Sequence, residues 1–187
     1  MNDTHLQFLS SPDWARMLES ELLPWIEAVG DLGDDVLEIG PGPGLTTDLL
    51  RRRVRQLTAV EVDPNLGEPL RRRLAGTNVE VIVGDATEAG LPGERFSAAA
   101  CFSVLHHMSS VDQQDRLFAE LRRVLRPGGV FVGQESVDSD MIRAGHEGDT
   151  FTPVDPDDLA ERLSRAGFGP TTTDVLGYHF RFISRKE

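Results

Sequence analysis

Two hydrophobic patterns alternate along the middle of the chain. Short apolar runs predict five buried strands, over residues 36–39, 57–61, 79–83, 97–102 and 130–134. The segments between them include three predicted helices, over 45–55, over 64–75 and over a stretch that Asp112 begins as its cap. Because strands buried on both faces have continuous apolar sequences, the pattern indicates an α/β fold with a parallel sheet covered by helices on both faces.

The two ends of the chain have different patterns. Residues 12–28 carry one apolar helical stripe, which Pro24 is expected to bend or break. Near the other end, a predicted helix at about 157–166 precedes two predicted strands, 171–176 and 178–184, which one glycine separates. A parallel pair needs a crossover of about a dozen residues, so these two strands must be antiparallel.

Charge and composition narrow the class of partner. Acidic residues outnumber basic ones by 31 to 19, which gives a formal net charge of −12. A general nucleic-acid binder draws its affinity from Lys and Arg on phosphates, so we expect no nucleic-acid partner. The arginine clusters 51–53 and 71–73 lie on predicted helices and are interpreted as solvated faces, with a local anionic partner as the alternative.

Three further features bear on location. The single cysteine, Cys101, lies in an apolar run, so no disulfide can form within the chain and a place in the core is expected. No apolar run approaches the ~20 residues that a membrane span requires, and residues 1–10 lack the pattern of a signal peptide. We expect a cytoplasmic protein with no membrane partner, and the sequence does not indicate an oligomeric state.

The residues that could bind a ligand lie at the ends of the predicted strands. The first strand runs into a turn that contains Gly40, Gly42 and Gly44, where the backbone can bend sharply and a ligand can lie against it. Glu61 ends the second strand, where an acid can accept hydrogen bonds from both hydroxyls of a ribose. Asp85 follows the third strand and could accept from an adenine amino group, or simply cap a turn.

Five segments together resemble the motifs of a known family. They are Val36–Gly44, Ala59–Asp63, Val83–Ala86, Ser103–His107 and Leu125–Val130. In this order and spacing they are similar to the motifs of class I S-adenosylmethionine-dependent methyltransferases. The resemblance implies a Rossmann-like seven-stranded sheet of order 3-2-1-4-5-7-6 with the last strand antiparallel, and S-adenosyl-L-methionine as the cofactor.

The resemblance also implies a role for each motif residue. Residues that would line the methionine and ribose portions of the cofactor are Glu38, Gly40, Pro41, Gly42 and Gly44. Glu61 would hold the ribose hydroxyls, and the residues around the adenine would be Val62, Gly84, Asp85 and Ala86. The residues that would meet the methionine end are Phe102 and Ser103.

We expect a single methyltransferase domain over residues 1–187. Its predicted parts are an N-terminal helical cover (1–30), a cofactor-binding core (34–135), a lid loop (136–152) and a helix with the C-terminal antiparallel hairpin (153–187). The lid is predicted because long loops without periodicity are often functional. Since nothing else in the chain is large enough for a substrate domain, a small-molecule methyl acceptor is expected, with a protein or RNA acceptor as the alternative.

Methyl transfer from a sulfonium demands alignment, exclusion of water and, for an acceptor that carries a proton, a general base. His106 and His107 follow the fourth strand and are the candidate catalytic residues, with helix capping or backbone bonding as the alternative. His146 and Glu135 are weaker candidates. No metal site is expected, because one histidine with acids in a loop is too small a ligand set.

Three other functions stay open at this point. A nicotinamide-dinucleotide-dependent oxidoreductase shares the fold and the acid at Glu61, but its Gly-x-Gly-x-x-Gly fingerprint is not met, since the third glycine here is Gly44 and Leu45 follows it. A non-catalytic module that binds an adenosine cofactor has the same motifs. Transfer of another group, such as aminopropyl, from a related sulfonium donor is the third.

Overall fold

The computed structural model describes residues 3–187, and their side chains from residue 6 onward. Its centre is a seven-stranded sheet of order β3-β2-β1-β4-β5-β7-β6. The strands are β1 Asp35–Ile39, β2 Gln56–Glu61, β3 Val79–Val83, β4 Phe96–Phe102, β5 Leu125–Ser136, β6 Thr172–Leu176 and β7 His179–Arg185. The predicted fold class and strand order are therefore confirmed.

Strand direction follows the lengths of the connections. The first five strands pair in parallel, and β7 runs antiparallel to both β5 and β6. The β6–β7 link is the two-residue turn of Gly177 and Tyr178, in which Gly177 has the left-handed φ of +65°. The antiparallel pairing predicted from the short link is confirmed, because no crossover could fit there.

Helices cover both faces of the sheet. They are α1 Asp3–Leu9, α2 Pro12–Met17, α3 Leu23–Val29, α4 Leu45–Leu50, α5 Pro64–Arg73, α6 Val111–Val124, α7 Asp140–Gly145 and α8 Pro156–Arg165. Ser11 caps α2 by accepting a hydrogen bond of 3.1 Å from the Trp14 amide. A π-helical turn, Leu18–Leu22, connects α2 to α3, and Pro24 lies in the first turn of α3, directly after this irregularity.

Several boundaries differ from the sequence prediction. Ser110, and not Asp112, caps α6, since its side chain accepts from the amide of Gln113. The predicted turn at 126–129 lies inside β5 as an irregularity, because Leu125 still pairs with Phe96 before the register shifts. The helix expected to reach residue 55 ends at Leu50.

The predicted lid loop contains a helix. Ser139 caps α7 by accepting a hydrogen bond from the amide of Ile142, and the helix ends at Gly145, next to His146. The helix spans 6 residues and buries none of them fully. A periodic apolar signal needs a buried stripe over several helical turns, and a helix this short and exposed has none.

The core lies in two layers, one on each face of the sheet. Successive residues of β1 point to opposite faces, so Val36 packs with the N-terminal helices and Leu37 packs with α6 and α8. Cys101 is fully buried, as predicted. Among residues 3–187, no helix has both the length and the apolar character needed to cross a bilayer. Because β1, β2 and β4 run in parallel, their carboxyl ends meet at one edge of the sheet.

Candidate functional site

The glycine turn after β1 forms the floor of a cleft at this edge. Gly40 and Gly42 have φ angles of +64° and +55°, a backbone conformation that residues with a side chain rarely adopt. A Cβ added to Gly40 would lie 2.6 Å from the Val104 side chain, whereas one added to Gly42 would meet nothing within 4 Å. Gly40 therefore allows close packing, and Gly42 presents bare backbone to the cleft.

Glu61 closes the opposite side of this turn. Its carboxylate is buried, with Oε2 accepting a hydrogen bond of 2.9 Å from the Gly42 amide and Oε1 accepting one of 2.9 Å from the Asp63 amide. Burial raises the pKa of Glu61 above its ordinary value. Each carboxylate oxygen has a second lone pair, so the group can still accept from two further donors such as ribose hydroxyls.

The cleft has two connected parts. The first, of about 200 Å³, lies over the glycine turn and is lined also by Pro41, Glu61, Val62 and Phe102. The second, of about 320 Å³, is lined by residues that follow β3 and β4, among them Gly84, Asp85, Ala86 and His107. Val62 is 67% exposed and borders both parts, so its side chain is available to pack on a planar ring.

Asp85 has a local role that the sequence left open. Its Oδ1 accepts hydrogen bonds of 2.8 Å from both the amide and the hydroxyl of Thr87, which closes the turn after β3. Asp85 also lines the second part of the cleft. Its contact with an adenine amino group stays a prediction.

Two residues of the predicted cofactor set lie behind the cleft and line neither part. Glu38 is buried, and its carboxylate accepts hydrogen bonds from the hydroxyls of Thr46 and Thr47, which ties β1 to α4. Burial raises the pKa of Glu38 to about 7. Gly44 has a φ of +88°, and a Cβ there would lie 2.4 Å from the Leu70 side chain, so it allows α4 and α5 to pack closely. Their contacts with the cofactor stay predictions.

Ser103 joins the cleft to a larger cavity. It is a non-glycine residue with a φ of +57°, held there by a hydrogen bond of 2.7 Å from its amide to the Gln134 carbonyl. Ser103, Leu9 and Trp14 line both the first part of the cleft and a neighbouring cavity of about 550 Å³. Backbone strain of this kind is often found at functional sites. We name the larger space the acceptor cavity.

The acceptor cavity contains a buried histidine–carboxylate pair. Nδ1 of His106 lies 2.5 Å from Oε2 of Glu135, and the other oxygen of Glu135 accepts hydrogen bonds of 2.8 Å from the amides of Val104 and Leu105. These contacts make Nδ1 the protonated nitrogen and leave the lone pair on Nε2. His106 lines the acceptor cavity, whereas His107 lines the cofactor cleft, so the two candidates face different spaces.

His146 reaches the same place from α7. Its ring centroid lies 4.9 Å from that of His106, and its Nδ1 is 2.7 Å from the Ile142 carbonyl oxygen. The sequence placed His146 in a structureless loop, and no local pattern could indicate that α7 carries it back to the end of β4. Trp14 was likewise predicted only as part of an apolar stripe, yet it borders both cavities.

Solved structures share this fold. A methyltransferase from Aquifex aeolicus described as SAM-dependent superposes with a TM-score of 0.78 at 18% identity, over 100% of each chain. A protein from Pyrococcus horikoshii does so with a TM-score of 0.79 at 19% identity, over 96% of this chain and 94% of its own. At these identities the likeness establishes the fold alone.

Curated relatives match shorter stretches. A ribosomal RNA small subunit methyltransferase A from Cupriavidus pinatubonensis is 36% identical over 131 residues, which cover 60% of this chain and 47% of the relative. A probable enzyme of the same name from Thermococcus onnurineus is 49% identical over 59 residues, 32% of this chain and 22% of the relative. The chain thus spans less than half the length of these two relatives.

These names overturn one expectation from the sequence. Net charge and the lack of a substrate domain indicated a small-molecule acceptor and no nucleic acid, but the matching relatives are named for methylation of ribosomal RNA. The expectation was wrong because overall charge does not describe a site, and an acceptor need not bind over the whole surface.

Sequence and structure agree on the family. The family model described as "Methyltransferase domain" matches residues 37–133, more than half of the chain and the segment that supplies β1 to β5 of the sheet. The cleft lies at the carboxyl ends of those strands, where the family motifs converge. The chain belongs to the class I S-adenosylmethionine-dependent methyltransferases, with S-adenosylmethionine as its cofactor.

Proposed function

We propose that this chain transfers the methyl group of S-adenosylmethionine to a nucleophilic atom of an acceptor that sits in the acceptor cavity. The observation that carries the proposal is the junction at Ser103 and Trp14, which line both the cofactor cleft and the acceptor cavity. With adenosine against Gly42 and Glu61, the methionine end of the cofactor lies toward this junction. The sulfonium methyl group then faces the acceptor.

The reaction needs few chemical groups from the protein. The acceptor lone pair attacks the methyl carbon in line with the carbon–sulfur bond, which breaks to leave S-adenosylhomocysteine. Alignment of the two reactants can supply on the order of 7–11 kcal/mol of the barrier reduction. If the acceptor carries a proton, Nε2 of His106 is the base that we assign, because it belongs to the acceptor cavity and Glu135 stabilises the imidazolium that forms.

His107 is the second candidate for the base. It lies beside the cofactor cleft, and its Nδ1 is 3.8 Å from Oδ2 of Asp149. An imidazole in that position contacts the cofactor more readily than the acceptor. We therefore assign His107 to cofactor positioning. A substitution of His107 that lowers turnover and leaves cofactor affinity unchanged would contradict this assignment.

An RNA nucleotide is the acceptor class that the names of the curated relatives favour. The acceptor cavity is lined by Phe8, Trp14 and Tyr178, aromatic side chains of the kind on which unstacked bases pack. Arg51 and Arg73 of the two basic clusters are both paired with Asp48, so they offer little free charge to a phosphate backbone. Binding would therefore depend on a flipped-out base, and it would be weak at physiological salt.

The proposal is tested with S-adenosylmethionine labelled in its methyl group. The protein is incubated at low salt with unmodified small-subunit ribosomal RNA, and separately with a cell extract, and labelled products are separated by size. Label in RNA supports both the reaction and the acceptor class. Label in other products supports methyl transfer and overturns the RNA acceptor, and label that stays on the cofactor in both mixtures contradicts methyl transfer. The cytoplasmic location expected from the sequence stays a prediction.

A further inference from the structure

Three histidines from two separate segments meet at the wall of the acceptor cavity. His106 and His107 belong to the 3₁₀ turn after β4, and His146 follows α7. One ring nitrogen from each lies within 4.8 Å of one from each of the others. The ring centroids are 4.3, 4.9 and 5.1 Å apart, and the aromatic ring of Phe151 packs 4.7 Å from that of His146.

The contacts of these rings favour a metal ion over a purely structural cluster. Nδ1 of His106 contacts the Glu135 carboxylate, Nδ1 of His146 contacts the Ile142 carbonyl, and Nδ1 of His107 lies 3.8 Å from Oδ2 of Asp149. Metal-binding histidines have the arrangement seen at His106 and His146, in which an oxygen acceptor holds the proton on one nitrogen and directs the other toward the ion.

The burial of His106 gives a second reason. The ring is about 1% exposed, and its Nε2 has no hydrogen-bond partner among the residues that the structure describes. A buried polar atom without a partner costs about 1–3 kcal/mol, and ligation of an ion removes that cost. The nearby carboxylate of Glu135, which is fully buried, also offsets positive charge at this position.

We propose that His106, His107 and His146 bind one divalent transition-metal ion of the Zn²⁺ class at the wall of the acceptor cavity. Three neutral imidazoles suit Zn²⁺, Co²⁺ or Ni²⁺ and do not suit Mg²⁺ or Ca²⁺, which prefer oxygen ligands. Tetrahedral Zn–N bonds of about 2.0–2.1 Å place ligand atoms roughly 3.4 Å apart, so the rings must contract slightly around the ion. Three ligands leave the fourth position open.

The open position has a chemical consequence, which rests on the proposed function. His106 and His146 both line the acceptor cavity, so an oxygen, nitrogen or sulfur atom of the acceptor can complete the coordination. The ion lowers the pKa of that group, and its proton passes to solvent before the lone pair attacks the sulfonium methyl carbon. Nε2 of His106 then binds the ion and does not serve as the base.

Metal binding is measured directly and without cofactor, so its failure is distinct from failure of methyl transfer. Protein without a histidine tag is freed of metal by a chelator, dialysed and titrated with Zn²⁺ by calorimetry, and with Co²⁺ by visible absorption. We expect one ion per chain and the ligand-field absorption of a low-coordinate Co²⁺ site. Wild-type protein that binds neither ion at micromolar concentration overturns the proposal.

Variants distinguish this site from adventitious binding. His146→Gln should weaken Zn²⁺ binding by more than the roughly 10- to 100-fold expected for Glu135→Gln, which removes only an orienting partner. His179→Ala is the matched control, because His179 lines the same cavity outside the cluster and its loss should leave binding unchanged. Equal affinity in wild type and His146→Gln, with both shown to be folded by thermal unfolding, overturns the site. If His146→Gln does not fold, His107→Gln replaces it with the same expectation.

Discussion

Oε2 of Glu61 accepts a hydrogen bond of 2.9 Å from the amide of Gly42, which joins the end of β2 to the glycine turn after β1. The two residues are 19 positions apart in sequence, yet they form facing walls of one cleft. The bond fixes the carboxylate in place while its remaining lone pairs stay available to a ribose. We therefore propose that this pair sets the position of the cofactor.

Replacing Glu61 with Ala should weaken binding of S-adenosylhomocysteine by roughly 1.5–3 kcal/mol, which is about 10- to 150-fold in Kd. The loss follows from removal of the acceptor for the ribose hydroxyls. Titration calorimetry measures it. Glu68→Ala is the matched control, since Glu68 is an acid on α5 that pairs with Arg71 at the surface. Equal affinity in Glu61→Ala and wild type would remove Glu61 from the site.

Two alanine substitutions in the glycine turn should have different effects. Gly40→Ala places a Cβ 2.6 Å from the Val104 side chain at a φ of +64°, so it should lower the free energy of unfolding by about 1–3 kcal/mol. The Cβ added by Gly42→Ala meets no atom within 4 Å, so its only cost to stability is the left-handed backbone strain of roughly 1–2 kcal/mol. The same Cβ narrows the cleft and should weaken cofactor binding. Urea unfolding and calorimetry measure the two effects.

The order of these effects is the test. Gly40→Ala should be the less stable variant. When both variants are measured under conditions in which they are folded, Gly42→Ala should have the lower cofactor affinity. If Gly42→Ala binds S-adenosylhomocysteine as tightly as wild type, the bare backbone at Gly42 does not face the cofactor.

Glu38 should make stability depend on pH. Burial raises its pKa from 4.5 to about 7, so the folded state favours the protonated acid. The resulting stabilisation is complete below pH 4.5 and is lost as pH rises to about 7, by on the order of 3 kcal/mol. Glu38→Gln keeps a neutral group that can bond to Thr46 and Thr47, so its stability should not fall over this range.

Urea unfolding of both proteins at several pH values between 4.5 and 8 measures this difference. Other groups titrate in both proteins, so the quantity of interest is wild type minus variant. A difference that is independent of pH would show that the pKa of Glu38 is the same in the folded and unfolded states, and that burial does not raise it.

His106→Gln should lower turnover while the affinity for S-adenosylhomocysteine stays at the wild-type value. In metal-free protein this substitution removes a general base, which typically costs 10²- to 10⁴-fold in rate, and His106 lines the acceptor cavity and not the cofactor cleft. His107→Gln is the paired variant, and in the same metal-free protein it should change cofactor affinity more than turnover. Unchanged turnover in His106→Gln would assign that histidine a structural role.

Much of the fold could be predicted from local sequence because each element carries its own signal. The apolar runs gave the five parallel strands, and the short link at Gly177 required the antiparallel pair. The predicted boundary of an element was wrong where two competing sequence signals lay close together. Ser110 and Asp112 are both good helix caps two residues apart, and only the observed bond to Gln113 decides between them.

Some residues of the candidate site could likewise be predicted from local sequence, and others could not. The residues proposed to bind the cofactor, such as Gly42 and Glu61, lie at the ends of strands, where sequence order determines their place in a parallel sheet. The partners of His106 could not be predicted, because Glu135 and His146 lie 29 and 40 positions away and meet His106 only through the packing of β5 and α7. The acceptor class was predicted from net charge and from the lack of room for a substrate domain, and neither carries information about a single cavity.

The central claim is that the backbone at Gly42 and the carboxylate of Glu61 hold one adenosine. A crystal structure with S-adenosylhomocysteine bound tests it most directly. We expect ribose hydroxyls within hydrogen-bond distance of Glu61, adenine against Val62, and the sulfur atom facing the cavity that His106 lines. Density for the nucleoside outside the cleft, or a ribose that does not contact Glu61, would contradict it.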